Sequence, residues 1–280
     1  MVERNMRSFA RHPFYTERNE RLVEMIPGLD YAEVVYEFGS GEGAVTELIL
    51  QRTHQTVRVY AVEPSAAQIK AAAKRLKAQG DRFVQLIRAK AEGAGAYLKE
   101  LADVAIMCNC IHLIKDKAGV ILSIFRFLEE EGQLGLNTAF YEGSEPDNEW
   151  PAFVGCRPPE SLQFYRRWMA KALRSLVEQG LRPRKEKTQA RRQLSAADYL
   201  KLVEASGFAV VAMKEETAEI PLAGWIDISK YELFARGAFP GVPVNAASEV
   251  LQRAAAETFQ ELGLSSVPRN WLSIVAQKAA

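Results

Sequence analysis

At 280 residues the chain is long enough to bury a large core, as one big domain or as a core with an accessory lobe. Its 36 Lys and Arg balance 35 Asp and Glu, so a net charge near +1 gives no general pull toward nucleic acid or an anionic membrane. The opening Met-Val-Glu-Arg-Asn-Met-Arg has no apolar stretch of signal-peptide length, and no apolar run reaches the roughly 18 residues that span a bilayer, which predicts a soluble, cytoplasmic protein.

The first element in chain order is a segment with Phe14, Tyr15 and Arg18 ahead of a short helix, Glu20 to Ile26, that ends at Pro27. Glu33-Val34-Val35-Tyr36-Glu37-Phe38 suits a buried strand and runs into the alternating glycines Gly39, Gly41 and Gly43. A helix follows with Val45, Leu48 and Ile49 on one face. Val57 to Val62 is a second strand, ending in Glu63-Pro64-Ser65, where Ser65 caps an Ala-rich helix that closes at Gly80. Phe83 to Ala89 and Asp103 to Cys108 read as the third and fourth strands. A helix carrying Val120, Ile121, Ile124 and Leu128 leads through a Glu131-Gly132 turn into a fifth, Leu134 to Phe140.

The alternation then lapses. A polar loop from Glu142 to Asp147, a helix from Leu162 to Gln179 and a basic stretch from Arg182 to Arg192 intervene before Ser195 and Asp198, spaced as a capping box, restart the core. That helix stops at Gly207, and Phe208 to Met213 is a sixth strand. Two more helical patterns occupy Ile220 to Pro268, and Trp271 to Ala276 supplies the last strand. Strands alternating with helices at this spacing predict a Rossmann-like, doubly wound, mostly parallel seven-stranded α/β sheet with helices on both faces. The predicted organisation is an N-terminal lid segment over 1–29, a core over 30–140, a helical insertion over 141–193, core again over 194–218, a second insertion over 219–268 and a last core strand within 269–280. The insertions and the N-terminal segment form a mainly helical lid.

Cys108, Cys110 and Cys156 are an odd set, two of them in an apolar strand pattern, which points to buried free thiols. No metal site is expected: Cys108-Asn109-Cys110 lacks the gap of a zinc knuckle, and the histidines are His12, His54 and His112.

Alternating glycines at a strand end let the backbone turn tightly and come close to a ligand. With an acidic residue about twenty positions on, they also fit a dinucleotide fingerprint. The flanking carboxylates discriminate. Glu37 would neutralise the amino group of a bound amino acid and repel a pyrophosphate, and Glu63 would accept ribose hydroxyls, so adenosine joined to an amino acid fits better than NAD.

Here the chain resembles the class I S-adenosylmethionine (SAM)-dependent methyltransferases, in the small-molecule branch that looks like the ubiquinone/menaquinone enzymes. The likeness rests on Glu37 to Gly43, Val62-Glu63-Pro64-Ser65, Ala91-Glu92, the block Asn109 to Ile114, the Leu128 to Leu134 join and Ala205 to Phe208. It covers roughly residues 30–140, 194–218 and 270–278. The resemblance implies SAM as cofactor and S-adenosylhomocysteine as product. It implies a methionine site at Glu37, Gly39, Ser40, Gly41 and Gly43, ribose at Glu63 beside Pro64, adenine near Ala91 and Glu92, and Asn109 nearby. Lys90 departs from the acidic residue often found before the Ala-Glu pair. Tyr15 and Arg18 are candidates to fold over the cofactor.

His112, after the fourth strand, is the candidate general base for an acceptor hydroxyl, against a packing role beside the cofactor. Methyl transfer asks little else of side chains, because aligning nucleophile, methyl carbon and sulfur lowers the barrier by proximity. Tyr141, Trp150, Phe164, Tyr165, Trp168, Trp225 and Tyr231 are candidates for the acceptor pocket or for the lid core, and imply an apolar or aromatic small molecule. The basic stretch reads either as a solvated linker or as a docking patch for an acidic carrier with a tethered substrate. The expected activity is O-methylation in secondary metabolism. C-methylation, or a non-methylating binding or cyclase-like role, are the alternatives. No nucleic-acid or membrane partner is expected, and the chain is a monomer or homodimer.

Overall fold

A computed structural model describes residues 2–3, 7–141, 159–184 and 194–279; Trp150, Cys156, the whole polar loop Glu142 to Asp147, and Lys185, Lys187, Arg191 and Arg192 of the basic stretch lie outside this set. The described chain forms two compact units. A sheet unit comprises Glu17–Thr138, Leu194–Glu215 and Leu272–Ala280, and a helical unit comprises Met1–Thr16, Ala139–Gln193 and Glu216–Trp271.

The sheet unit begins as expected. β1 (Val34–Phe38), α2 (Ala44–Arg52), β2 (Arg58–Val62), α3 (Ala66–Leu76), β3 (Phe83–Ile87), β4 (Ala102–Cys108), α4 (Lys117–Phe127) and β5 (Leu128–Thr138) alternate along the chain, after α1 (Pro13–Met25). α6 (Ala196–Ala205) precedes β6 (Phe208–Pro221), and β7 (Ser266–Lys278) is the last strand. The seven strands run in the order β3-β2-β1-β4-β5-β7-β6. β1 pairs parallel with β2 and with β4, β2 with β3, and β4 with β5, whereas β7 lies antiparallel to β5, so the sheet is mixed. All five residues of β1 are buried, as a central parallel strand covered on both faces must be. Leu22, Ile49, Val59, Val104 and Val275 belong to one buried apolar cluster.

The caps follow the sequence. Ser195 Oγ accepts from Asp198 N at 3.1 Å while Asp198 Oδ2 accepts from Ser195 N at 3.1 Å, closing the capping box. Asp116 Oδ1 takes the Gly119 N–H at 2.9 Å at the start of α4.

Four expectations are corrected. α1 starts at Pro13, seven residues before the expected helix, because a proline at the first helical position brings a φ already suited to the helix. α4 ends at Phe127, and Leu128 already pairs with Ala102; the predicted turn is an irregularity inside β5, where Glu131 has φ 62° and the register jumps to Val104 opposite Gln133. β6 and β7 are longer than their apolar stretches: β6 continues through Lys214-Glu215-Glu216, since at the sheet edge charged side chains can point to solvent. The second insertion holds three helices rather than two, α7 (Leu222–Lys230), α8 (Glu232–Ala238) and α9 (Val244–Leu262), with extended Tyr231 dividing the first pair.

The helical unit is built around α5 (Leu162–Glu178) and α9. Phe164, Trp168 and Trp225 pack ring against ring with centroids 5.1 to 5.4 Å apart, and Trp168 Nε1 donates to Leu251 O at 2.8 Å. Buried Arg269 donates to Ala139 O at 2.9 Å with its guanidinium 4.4 Å from the Phe140 ring centre. His12 Nε2 lies 2.9 Å from Asp227 Oδ2, whose second oxygen accepts from Lys230 at 2.6 Å.

Gly207 joins α6 to β6 at φ 97°, and an added Cβ would sit 2.7 Å from the Phe125 ring. Gly207→Ala is therefore expected to lower unfolding free energy by about 2 to 4 kcal/mol, from strained backbone plus overpacking, measured as a lower urea midpoint at unchanged slope; a wild-type midpoint would show that neither strain nor the ring contact matters.

Candidate functional site

β1 has β2 on one side and β4 on the other, and the chain turns away from both pairs at their carboxyl ends. In an open α/β sheet this switch of direction leaves a crevice, and it is where ligands bind. The loops that leave β1, β2 and β4 carry Gly39 to Gly43, Glu63 to Ser65 and Asn109 to Leu113.

Gly39, Gly41 and Gly43 have φ of 75°, 56° and 80°, a left-handed run that side chains resist. Gly39 N and Ser40 N both donate to Val62 O, at 2.8 and 3.1 Å, so the turn folds back on the end of β2. An added Cβ on Gly39 would lie 2.5 Å from Cys110 Cβ; the space that this glycine leaves open is filled by the protein itself, whose Cys110 Sγ–H donates to Phe38 O at 3.0 Å. Ser40 is buried, and its Oγ has no hydrogen-bond partner among the described residues.

Glu37 is 2% exposed at the end of β1, and its Oε2 accepts from Thr46 Oγ1 at 2.5 Å. Burial pushes its carboxyl up from 4.5 to about 7, with the Thr46 bond opposing and the Glu63 charge assisting. Glu63 Oε1 accepts from Ser65 N at 2.8 Å and Oε2 from Gly41 N at 3.1 Å. Burial raises its carboxyl as well, against the pull of those two N–H groups. Among the described residues neither carboxylate forms an ion pair. Two buried acids beside an orphaned hydroxyl form a site that a ligand with a cation and hydroxyl groups would complete, and such a group fits these residues.

Asn109 follows β4 at φ 48°, with its N–H shared between Asn137 O at 3.1 Å and Asn137 Oδ1 at 2.9 Å. His112 is half-buried in the short helical turn that follows, its Nδ1 3.3 Å from Thr138 Oγ1. Pro64 is exposed beside Glu63. Ala91 and exposed Glu92 open the turn after β3, two strands from β1, with Lys90 exposed just before them. Arg18 is buried in the part of α1 that belongs to the sheet unit. The structure thus brings Glu37, the glycine turn, Ser40, Glu63 and Asn109 to one end of the sheet.

The other candidates lie in the helical unit. Tyr15 stands edge-on to Phe9 and Trp271. Phe164, Tyr165, Trp168 and Trp225 are engaged in the aromatic cluster, Tyr141 is fully buried, and Tyr231 is half-buried between α7 and α8. Of the basic stretch, Arg182 and Arg184 are exposed, Arg184 N donating to Pro240 O at 2.8 Å. Sequence reasoning missed Thr46, Asn19, Asn137 and Thr138. Thr46 had a faint signal, a hydroxyl in the first turn after the glycines; Asn137 had a clearer one, an amide inside an apolar strand.

Among the described residues no group of three or more His, Cys, Asp and Glu could hold a metal ion, and no helix is long and apolar enough to cross a membrane. Residues 36–134 match a family model described as a methyltransferase domain. The match spans β1 to β5, the part that carries both buried carboxylates. No curated protein matches the chain in sequence. Among solved structures, a candidate methyltransferase from Bacillus halodurans C-125 superposes with a TM-score of 0.58 at 16% identity, over 94% of this chain and 100% of that one. The (4+2) cyclase SpnF gives 0.58 at 14% identity, over 95% of this chain and 82% of its own. A geranyl diphosphate methyltransferase solved with SAM gives 0.54 at 14%, over 95% and 86%. At these identities the likeness is one of fold, a seven-stranded Rossmann-like sheet with helices around it.

The raised carboxyl of Glu37 predicts a pH dependence. Its folded value, about 7, lies above the unfolded 4.5, so the folded chain holds the extra proton and this stabilisation is lost as pH rises through 7. In the ligand-free protein, Glu37→Gln should therefore gain stability over wild type by on the order of 2 to 4 kcal/mol between about pH 5 and about pH 8. Denaturant titrations across that range check it, and parallel curves for the two proteins would refute it.

Proposed function

We propose that the chain is a class I SAM-dependent methyltransferase acting on a small or medium-sized apolar or aromatic metabolite, by O-methylation, in the branch that resembles the ubiquinone/menaquinone enzymes. The observation that carries the reading is the pair of buried carboxylates, Glu37 and Glu63, at either edge of a left-handed glycine turn; among the described residues neither forms an ion pair and the Ser40 hydroxyl has no partner. The match of residues 36–134 to a methyltransferase domain supports it.

Charge explains the preference for this ligand. A pyrophosphate at the turn would meet two carboxylates in a poorly hydrated site, where repulsion is strongest, whereas an ammonium group lets Glu37 ionise at neutral pH. Glu63 already accepts one backbone N–H on each oxygen, which leaves a lone-pair direction on each for a ribose hydroxyl. Ser40 Oγ would take up a polar group of the methionine part. When bound, SAM supplies a methyl group activated by its sulfonium.

The protein's task is then to orient the acceptor and remove its proton. With Nδ1–H directed to Thr138 Oγ1, His112 would present a basic Nε2 for an acceptor hydroxyl. The alternative with support of its own is a non-methylating, cyclase-like role on the same fold, since a (4+2) cyclase superposes as well as a methyltransferase does.

Calorimetry is expected to register binding of SAM and S-adenosylhomocysteine but not NAD or NADP, and the reverse order would overturn the assignment. Glu63→Ala should weaken SAM by about 1 to 3 kcal/mol through lost charge-assisted bonds. In a radiolabelled methyl-transfer assay over a panel of phenolic and aliphatic alcohols, His112→Ala should cut turnover by about 10²-fold or more while SAM affinity changes little; equal turnover would withdraw its role as base, and no transfer to any acceptor despite SAM binding would favour the cyclase-like reading.

A further inference from the structure

Three asparagines meet inside the sheet unit, each nearly or wholly shielded from water: Asn19 on α1, Asn109 after β4 and Asn137 near the end of β5. Asn137 Nδ2 donates to Asn19 Oδ1 at 3.1 Å and to Arg18 O at 3.3 Å. Its Oδ1 accepts from Asn109 N at 2.9 Å, and Asn109 Nδ2 donates to Asn19 Oδ1 at 3.4 Å. Both ends of the Asn137 amide are therefore used, one on a helix and one on a loop. Asn109 stands at φ 48°, in the left-handed region that asparagine adopts more readily than most side chains. The next residue of β5, Thr138, reaches His112 on the same loop.

We infer that Asn137 is a positioning residue that clamps the Arg18–Asn19 segment of α1 to the loop Asn109–Leu113, so that the two yield together and not separately. A buried amide network is stable only when all its members are paired, so losing one member releases the others. An apolar side chain of similar size at 137 would remove the bonds to Arg18 O and Asn19 Oδ1 and the shorter of the two bonds to the Asn109 N–H, leaving only the one to the Asn137 carbonyl. That the clamp serves a cofactor and an acceptor rests on the proposed function; that it couples helix to loop does not.

Hydrogen exchange on the full-length, ligand-free protein tests the clamp. In Asn137→Leu, peptides covering residues 17–23 and 109–114 are expected to exchange about tenfold faster than in wild type, while β2 keeps its rate. Release of neither segment, or of only one, in a folded variant overturns the inference. Asn19→Ala approaches from the helix side and leaves β5 untouched, so it decides the matter if Asn137→Leu does not fold: faster exchange over 109–114 supports the clamp, and unchanged exchange overturns it. Calorimetry with SAM then separates the two readings. Wild type that fails to bind SAM refutes the proposed function and leaves the exchange result to decide the clamp. Wild type that binds, with Asn19→Ala about tenfold weaker, supports the positioning role, and equal affinities overturn it.

Discussion

Placing two carboxylates at the carboxyl ends of two neighbouring parallel strands constrains everything around them. A buried acid loses water on both oxygens, and the protein must replace that hydration with donors or leave the acid protonated. Here the answers differ. Glu63 receives two backbone N–H groups, and one of them, from Gly41, exists only because the turn adopts left-handed φ values. Glu37 receives a single hydroxyl, and burial pushes its carboxyl up to about 7. The glycine turn and the Glu63 carboxylate are thus one construction: the turn supplies a donor to the acid, and the acid fixes the direction of the turn.

The β4 and β5 ends of the sheet are arranged differently, beside buried Arg18 on α1 and half-buried His112. Where the β1 and β2 ends are organised by carboxylates, the β4 and β5 ends are organised by amides and a hydroxyl, which hydrogen-bond in either direction but carry no charge into the interior. A charged residue in place of Asn137 would sit among the Arg18 and Asn109 backbones in a medium that cannot screen it. Carboxylates dominate at the β1 and β2 ends, and side-chain amides fix the geometry at the β4 and β5 ends.

Much of this was legible in the sequence, and the reasons are specific. Glu37 and Glu63 could be placed at strand ends because the apolar runs before them are short and uninterrupted, and the glycines mark the turn. Ser195 and Asp198 announced a cap through spacing alone. Where tertiary pairing overrides local pattern, the reading fell short. Lys214 to Glu216 interrupt hydrophobicity without interrupting β6, because an edge strand needs only one buried face. Glu131 and Gly132 looked like a turn, yet the chain absorbs them within β5. The asparagine cluster was not legible as a cluster: Asn137 stands out inside an apolar strand, but Asn109 and Asn137 are 90 and 118 positions from Asn19 and nothing local pairs the three. The reason for Gly39 was also only half visible. Its positive φ is a property of the turn, whereas its closeness to Cys110 depends on β1 lying beside β4.

That closeness has an outcome for redox chemistry. Cys110 keeps its proton, because burial and the nearby Glu37 and Glu63 charges push its thiol far up, and the S–H is engaged with the Phe38 carbonyl. Peroxides and alkylating reagents attack the thiolate, so this sulfur is protected although it borders the crevice. The turn is thereby insulated from the oxidation state of its surroundings by the same acids that shape it.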